Sequence, residues 1–298
     1  AAAGEARRTQ LRHAMRRSAV LIGLGLVLSH APSFALTNVL AQIGLGYMAA
    51  VVLVGRGARV QLTVAAAIII VYWLAFAAYP VSDASTLGIK LAPRESFPGF
   101  FAHWNNHTNL AAAFDRWFLN LFPRDAPHVF NPSGTQTLNF MPSLATMIFG
   151  VVAGEVLRSA RPPPARAAWL AVFGGACVAL GLLADLTVCP IVKRIWTPSW
   201  TLYSGGIVVW LLAIVYWLVD VRGWRRWTPP LVVVGMTCIV IYVLSFPLSP
   251  WLAETMRLHL GQQIFAGLYG PIVERGSVLL VFWLLCWWMY RRKLFVRI

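Results

Sequence analysis

The stretch VQLTVAAAIIIVYWLAFAAYP (60–80) carries no charged side chain and no alternation of polar with apolar positions. A helix needs about 20 apolar residues to cross the hydrocarbon of a bilayer, and this run supplies them. Lipid offers no hydrogen bonds, so a spanning backbone must satisfy itself as a helix or a closed barrel. Barrel strands would alternate in segments of about ten residues, which this run does not do. The stretch therefore predicts a transmembrane helix.

The rest of the chain agrees. Of its 298 residues 59% are hydrophobic and 12% charged, and the mean hydropathy is +0.68. A soluble domain carries about 25% charged residues, so this chain cannot clothe itself in a polar surface. The expected fold is all-α, a polytopic transmembrane helix bundle of eight spans, near 18–36, 38–55, 60–80, 138–157, 167–188, 200–220, 229–248 and 275–291. Pro32 and Asn38 mark a tight turn between the first two spans, and small residues Gly150 and Gly154 are expected to let the fourth pack closely. The whole chain, 1–298, reads as one transmembrane domain, with 81–137 as its long extracytoplasmic loop.

The net charge of +15 does not point to nucleic acid, because the arginines flank apolar spans instead of forming a soluble basic face. Seventeen of the 25 basic residues fall on one side of an eight-span path: five before the first span, and clusters after the second, fourth, sixth and eighth. The positive-inside rule puts that side, with both termini, in the cytoplasm. Cys177, Cys189, Cys238 and Cys286 are scattered without a CxxC pair and read as inert thiols.

Segment 81–137 is too long for a plain connector and is rich in Phe and Trp. NLAAAFDRWFLNLF (109–122) predicts an interfacial amphipathic helix capped by Asn109. Just before it, His103 and His107 stand at i, i+4, a spacing that shares one helical face, but no third ligand accompanies them and no metal is expected. A neutral imidazole can accept the proton of an attacking amine, so both are candidate catalytic residues. The NPSG tetrad (131–134) is a turn signal. Thr135, Gln136, Thr137, Asn139, Ser143 and Thr146 then concentrate hydrogen-bonding groups at the start of a span, either as helix–helix glue or as the wall of a polar cavity. Within the spans Glu155 and Asp220 lie near Arg158 and Arg222, and Asp185 lies near Lys193 and Arg194, so ion pairing is expected for them.

Four runs carry a family likeness: KRIWTPSWTLYSGGIVVWLLAIVYWLVDVRGWRRWTPPLVVVGMTCIVIYVLS (193–245), NLAAAFDRWFLN (109–120), NPSGTQTLNFMPSLATMIFGVVAGEVLRS (131–159) and YRRKLFVRI (290–298). Together they resemble the bacterial relatives of heparan-α-glucosaminide N-acetyltransferase. The resemblance implies a transferase that takes acetyl from cytoplasmic acetyl-CoA, as a cosubstrate, and delivers it to an amino sugar or glycan across the membrane. It implies about ten spans in the complete protein, so this chain is expected to lack two N-terminal spans and a His-Ala-x-Trp motif. His30–Ala31, followed by Pro-Ser-Phe, does not carry that motif.

By the same resemblance Lys193, Trp196, Thr197 and Ser199 match an outer-loop motif. Asn131 and Gly134 match an Asp-Pro-Glu-Gly-like turn, and Asn139 joins them as a substrate-binding candidate. Trp104, Trp117, Trp196 and Trp200 are reasonable walls for a sugar ring or members of an interfacial belt. Arg12, Arg16 and Arg17, with Arg222 and Arg225 behind them, are the candidates for CoA phosphates, or else anchors of topology. Membrane lipid is an expected partner, and a homodimer is compatible with the sequence. The rival functions are a transporter of sugars or cell-wall precursors and a non-catalytic membrane component.

Overall fold

The computed structural model describes residues 2–29, 34–89 and 96–295. Among these, all regular structure is helical. The nine α-helices are α1 (Ala2–Leu28), α2 (Val39–Leu53), α3 (Ala58–Ala78), α4 (Leu110–Phe118), α5 (Phe140–Arg158), α6 (Pro163–Thr187), α7 (Pro198–Tyr216), α8 (Pro229–Leu260) and α9 (Gly270–Arg291). The chain divides into two compact units, Ala1–Gly223 and Trp224–Ile298.

Among the described residues, six helical segments are long and apolar enough to cross a membrane: Ala58–Ala78, Thr137–Arg158, Pro163–Thr187, Pro198–Val221, Cys238–Leu260 and Gly270–Arg291. The first two of the eight expected spans fall short of that standard. α2 has 15 residues, about 22 Å against a hydrocarbon thickness of about 30 Å. α1 is long, but it carries Arg7, Arg8, Arg12, Arg16 and Arg17 on the same continuous helix as its apolar end. His30, Ala31 and Pro32 lie outside the described residues. The seventh span also differs. α8 runs on to Leu260 through Pro247 and Pro250, where prolines would end a helix in water but are tolerated in membrane helices.

In the first unit close helix contacts depend on missing side chains. A Cβ on Gly206 would sit 2.7 Å from the Gly174 carbonyl oxygen and the Val178 amide nitrogen, and one on Gly181 would sit 2.6 Å from the Tyr203 nitrogen. α6 and α7 thus lie backbone to backbone, pinned by the Trp210 indole donating to the Ala171 carbonyl at 2.7 Å. α1 and α2 pair in the same manner. Gly25 meets Ala41, Gly44 meets Ile22, and the Ser18 hydroxyl donates to the Gly44 carbonyl. Lipid tails are as apolar as leucine, so such close packing is what draws membrane helices together. Gly150 and Gly154 do not take part: a Cβ on either meets nothing within 4 Å. The central core instead packs Ala145, Ile148, Phe149 and Val152 of α5 against Ala65 of α3 and Cys177 of α6.

Two ends of this unit can be distinguished. At the loop face, Tyr72 and Phe76 at the end of α3 pack with Trp104 and Ala111 of the long loop and with Cys189 and Ile195 of the α6–α7 loop. At the other end, the arginine face, the α2–α3 turn meets the C-terminus of α5. There Glu155 accepts from the Gly55 amide at 2.8 Å and from the Gln61 side chain at 2.7 Å. Neutral donors therefore hold Glu155, in place of the ion pair with Arg158 that sequence proximity suggested. Asp185 likewise accepts from the Ile191 amide at 2.6 Å and so pins the α6–α7 loop.

Candidate functional site

The polar site at the loop face grows from the capping of α4. Asn109 accepts from the Ala112 amide at 3.0 Å, as its sequence position predicts, and donates back to the Asn105 carbonyl at 2.9 Å. The helix then turns Ala111, Ala112 and Asp115 inward, while Trp117 stays 61% exposed. Asp115 is 2% exposed. Its two oxygens accept from the Thr137 amide at 3.2 and 3.1 Å, which ties α4 to the start of the α5 span. Burial raises its pKa to about 6 from the ordinary 3.8, against the opposing pull of the Thr137 bonds and the Arg116 charge.

Around that carboxylate, His107, Ala112, His128, Phe130, Asn131, Gly134, Thr135 and Gln136 enclose a cavity of about 10 Å³, the room of about one water. His107 takes a left-handed backbone, φ +67°, a conformation uncommon outside glycine. Its carbonyl accepts from Arg116 at 2.8 Å and its ring lies 4.9 Å from that of Phe130. His128 is tied to the 3-10 turn that follows α4 by its amide, which donates to Asn120 at 2.7 Å. Burial, then the charges of Arg124 and Arg116, holds its imidazole below the usual pKa, favouring the neutral ring.

The NPSG turn forms as the sequence predicts. The Gly134 amide donates to the Asn131 carbonyl at 2.8 Å, and Gly134 has φ +76°. A Cβ there would fall 2.5 Å from the Asn106 amide nitrogen and 2.9 Å from the Arg194 side chain, so glycine is required on both counts. Asn139 donates to the Arg194 carbonyl at 2.7 Å, joining α5 to the α6–α7 loop. Several buried polar atoms here have no partner among the described residues: Asn106 Nδ2, Gln136 Oε1, Asn139 Oδ1 and Ser143 Oγ. Native proteins leave few such atoms, and a cluster of them asks for a ligand or water.

Other expected site residues are placed elsewhere. His103 and His107 do not share a helical face. The 3-10 turn Gly99–Trp104 ends at Asn105, whose side chain folds back to accept from the Phe97 amide. His103 is anchored to the Tyr79 carbonyl at 2.8 Å. Thr197 and Ser199 are fully buried within their own loop. Thr197 accepts from the Val192 and Trp200 amides, and Ser199 donates to the Pro190 carbonyl at 2.8 Å. Trp196 sits at φ +49° and Lys193 is exposed. Trp104 is a core residue at 0% exposure. Burial pushes the Cys189 thiol up to about 12, so it is no nucleophile at neutral pH. Among the described residues no three His, Cys, Asp or Glu groups stand close enough to hold a metal ion.

The arginine face holds a second, larger pocket of about 870 Å³ between α1 and α2. Arg7, His13, Arg17, Tyr47 and Arg56 line it, and Arg17 donates to the Tyr47 hydroxyl at 3.2 Å. Of the five arginines expected at a CoA site only Arg17 lines this pocket. Arg12 and Arg16 are exposed on α1 outside the lining, Arg222 lies over the Trp217 ring at 4.5 Å, and Arg225 belongs to the second unit.

Comparison with known proteins adds no identity. No family model matches the chain, and a search of curated proteins finds no match.

Proposed function

We propose that this protein is a membrane acyltransferase that takes acetyl from acetyl-CoA at the arginine face and delivers it to an amino sugar or glycan at the loop face. It sits in a bacterial inner membrane with the arginine face in the cytoplasm. The observation that carries this reading is the opposition of two unlike sites on one helical unit. One is a roomy basic pocket lined by Arg7, Arg17 and Arg56. The other is a small acidic cavity around Asp115, with unpartnered buried polar atoms beside it. Guanidinium groups bind phosphate by charged hydrogen bonds, and CoA carries phosphates. Unpaired acceptors and donors at the loop face suit a hydroxylated ligand, whose groups can fill both roles. The family likeness of the 109–120, 131–159 and 193–245 runs points the same way.

The test is transfer of labelled acetyl from acetyl-CoA to glucosamine by the protein in sealed membranes. Label on the sugar supports the transferase. Movement of sugar without use of the acyl donor, and with no acetyl-CoA binding, replaces it with a transporter.

A further inference from the structure

The polar atoms around Asp115 are not a neutral mixture. Its carboxylate only accepts when ionised, and Gln136 Oε1, on a side chain 3% exposed, is a buried acceptor without a donor. Both residues line the small cavity. An acceptor-rich, enclosed wall is completed by a group with several N–H donors and a positive charge. A primary ammonium has three donors and no acceptor. The charged or titratable groups near the carboxylate are Arg116 on its own helix, Tyr72 on α3, and His107 and His128 from the loop segments. Arg194 lies against Gly134 at the cavity's far edge. Arg116 is directed to the His107 carbonyl, so the bonds on Asp115 come from Thr137 and leave lone pairs for a ligand.

We propose that Asp115 is the carboxylate that binds the ammonium of the acceptor amino sugar at the loop face. This rests on the acyl-transfer reading above. Entry requires the Phe130 ring, 40% exposed, to swing away from His107. Burial raises the pKa of Asp115 only to about 6, so the carboxyl is ionised at neutral pH and can pair with an ammonium.

The experiment measures binding of glucosamine and of glucose, its neutral counterpart with hydroxyl in place of amine, to the full chain in lipid nanodiscs without acyl donor. At pH 7 the wild type is expected to bind glucosamine at least tenfold more tightly than glucose. Asp115→Asn should erase that preference while still offering an oxygen to the Thr137 amide. The wild type alone supplies a second measurement. Its glucosamine affinity should fall severalfold between pH 7 and pH 5, where both amine and glucose control keep their charge state. Equal binding of the two sugars, no glucosamine binding, unchanged preference in the Asn variant, or a flat pH series overturns the proposal. The arms stay separate from acyl transfer. Amine-selective binding without acetylation sinks the transferase alone, and acetylation at an undiminished rate by Asp115→Asn sinks the role of Asp115 alone.

Discussion

Asp115→Asn should make the protein more stable at neutral pH than the wild type, and the difference should shrink in acid. The pKa of Asp115 rises from an ordinary 3.8 to about 6 in the fold. Between those values the folded state holds more protons than the unfolded one, so this group's contribution falls as pH climbs from about 4 to about 6. Above that window the buried charge costs about 3 kcal/mol, at about 1.36 kcal/mol for each tenfold change in proton affinity. Asparagine is neutral at every pH and keeps an oxygen for the Thr137 amide. His128 acts in the opposite sense, because its depressed pKa removes stability as pH falls below 6.5. That slope is present in both proteins and cancels in their difference. Thermal melts of the two proteins in one detergent, followed by tryptophan fluorescence at pH 7.5 and pH 4.5, measure the gap. We expect about 1–3 kcal/mol in favour of the variant at pH 7.5 and about a third of that gap at pH 4.5, where the unfolded carboxyl is still mostly ionised. A gap of the same size at both pH values would falsify the assignment of a costly buried charge to Asp115, and so would a variant less stable at pH 7.5. A carboxylate retained at such a cost in stability is the kind of feature that marks functional sites.

The helix contacts make a paired prediction. Gly206→Val, which forces a side chain onto the Gly174 carbonyl, should destabilise by about 1–3 kcal/mol. Gly150→Ala, in open space, should be neutral or raise stability by up to about 1 kcal/mol; melting temperatures of the two decide. Asn109→Ala removes the cap of α4 and should cost about 1 kcal/mol, with proteolysis of the long loop accelerated and the core spans intact. Replacing Arg7 and Arg17 together by alanine should weaken acetyl-CoA affinity by about tenfold or more, while Arg12→Ala and Arg16→Ala leave it within about twofold. Equal losses from both pairs in a titration would place the phosphates elsewhere on α1.

The parts of the molecule that could be read from sequence are those fixed by local chemistry. An uncharged run such as 60–80 needs only its own length to declare a span, and Asn109 announces α4 because a cap is made within four residues. The failures come from facing and from context. Arg12 and Arg16 stand beside Arg17 in sequence but not on its face of the helix. Helical periodicity sets Gln10, Ala14 and Arg17 on one stripe, which lines the pocket, and turns the other two away. His103 and His107 have helical spacing, yet the chain leaves the helix between them. Asp115 carried a usable signal: it stands four residues from both Ala111 and Leu119, a lone acid on the buried stripe of an amphipathic helix. His128 carried none, since only the fold brings it to α4.

The segment Thr137–Arg158 is 22 residues long, about 33 Å of helix. Its first amide is gripped by Asp115. One turn from its last residue, Glu155 grips the amide of Gly55, in a turn whose next residue, Arg56, lines the basic pocket. The two sites therefore hang from opposite ends of one push-rod. A change of charge at Asp115 acts first on the Thr137 amide, and an axial shift of this helix would reach the Gly55–Arg56 turn at its other end. Linkage would require any such coupling to run both ways, so a ligand gripping the Arg56 rim would bias how firmly Asp115 holds its amide.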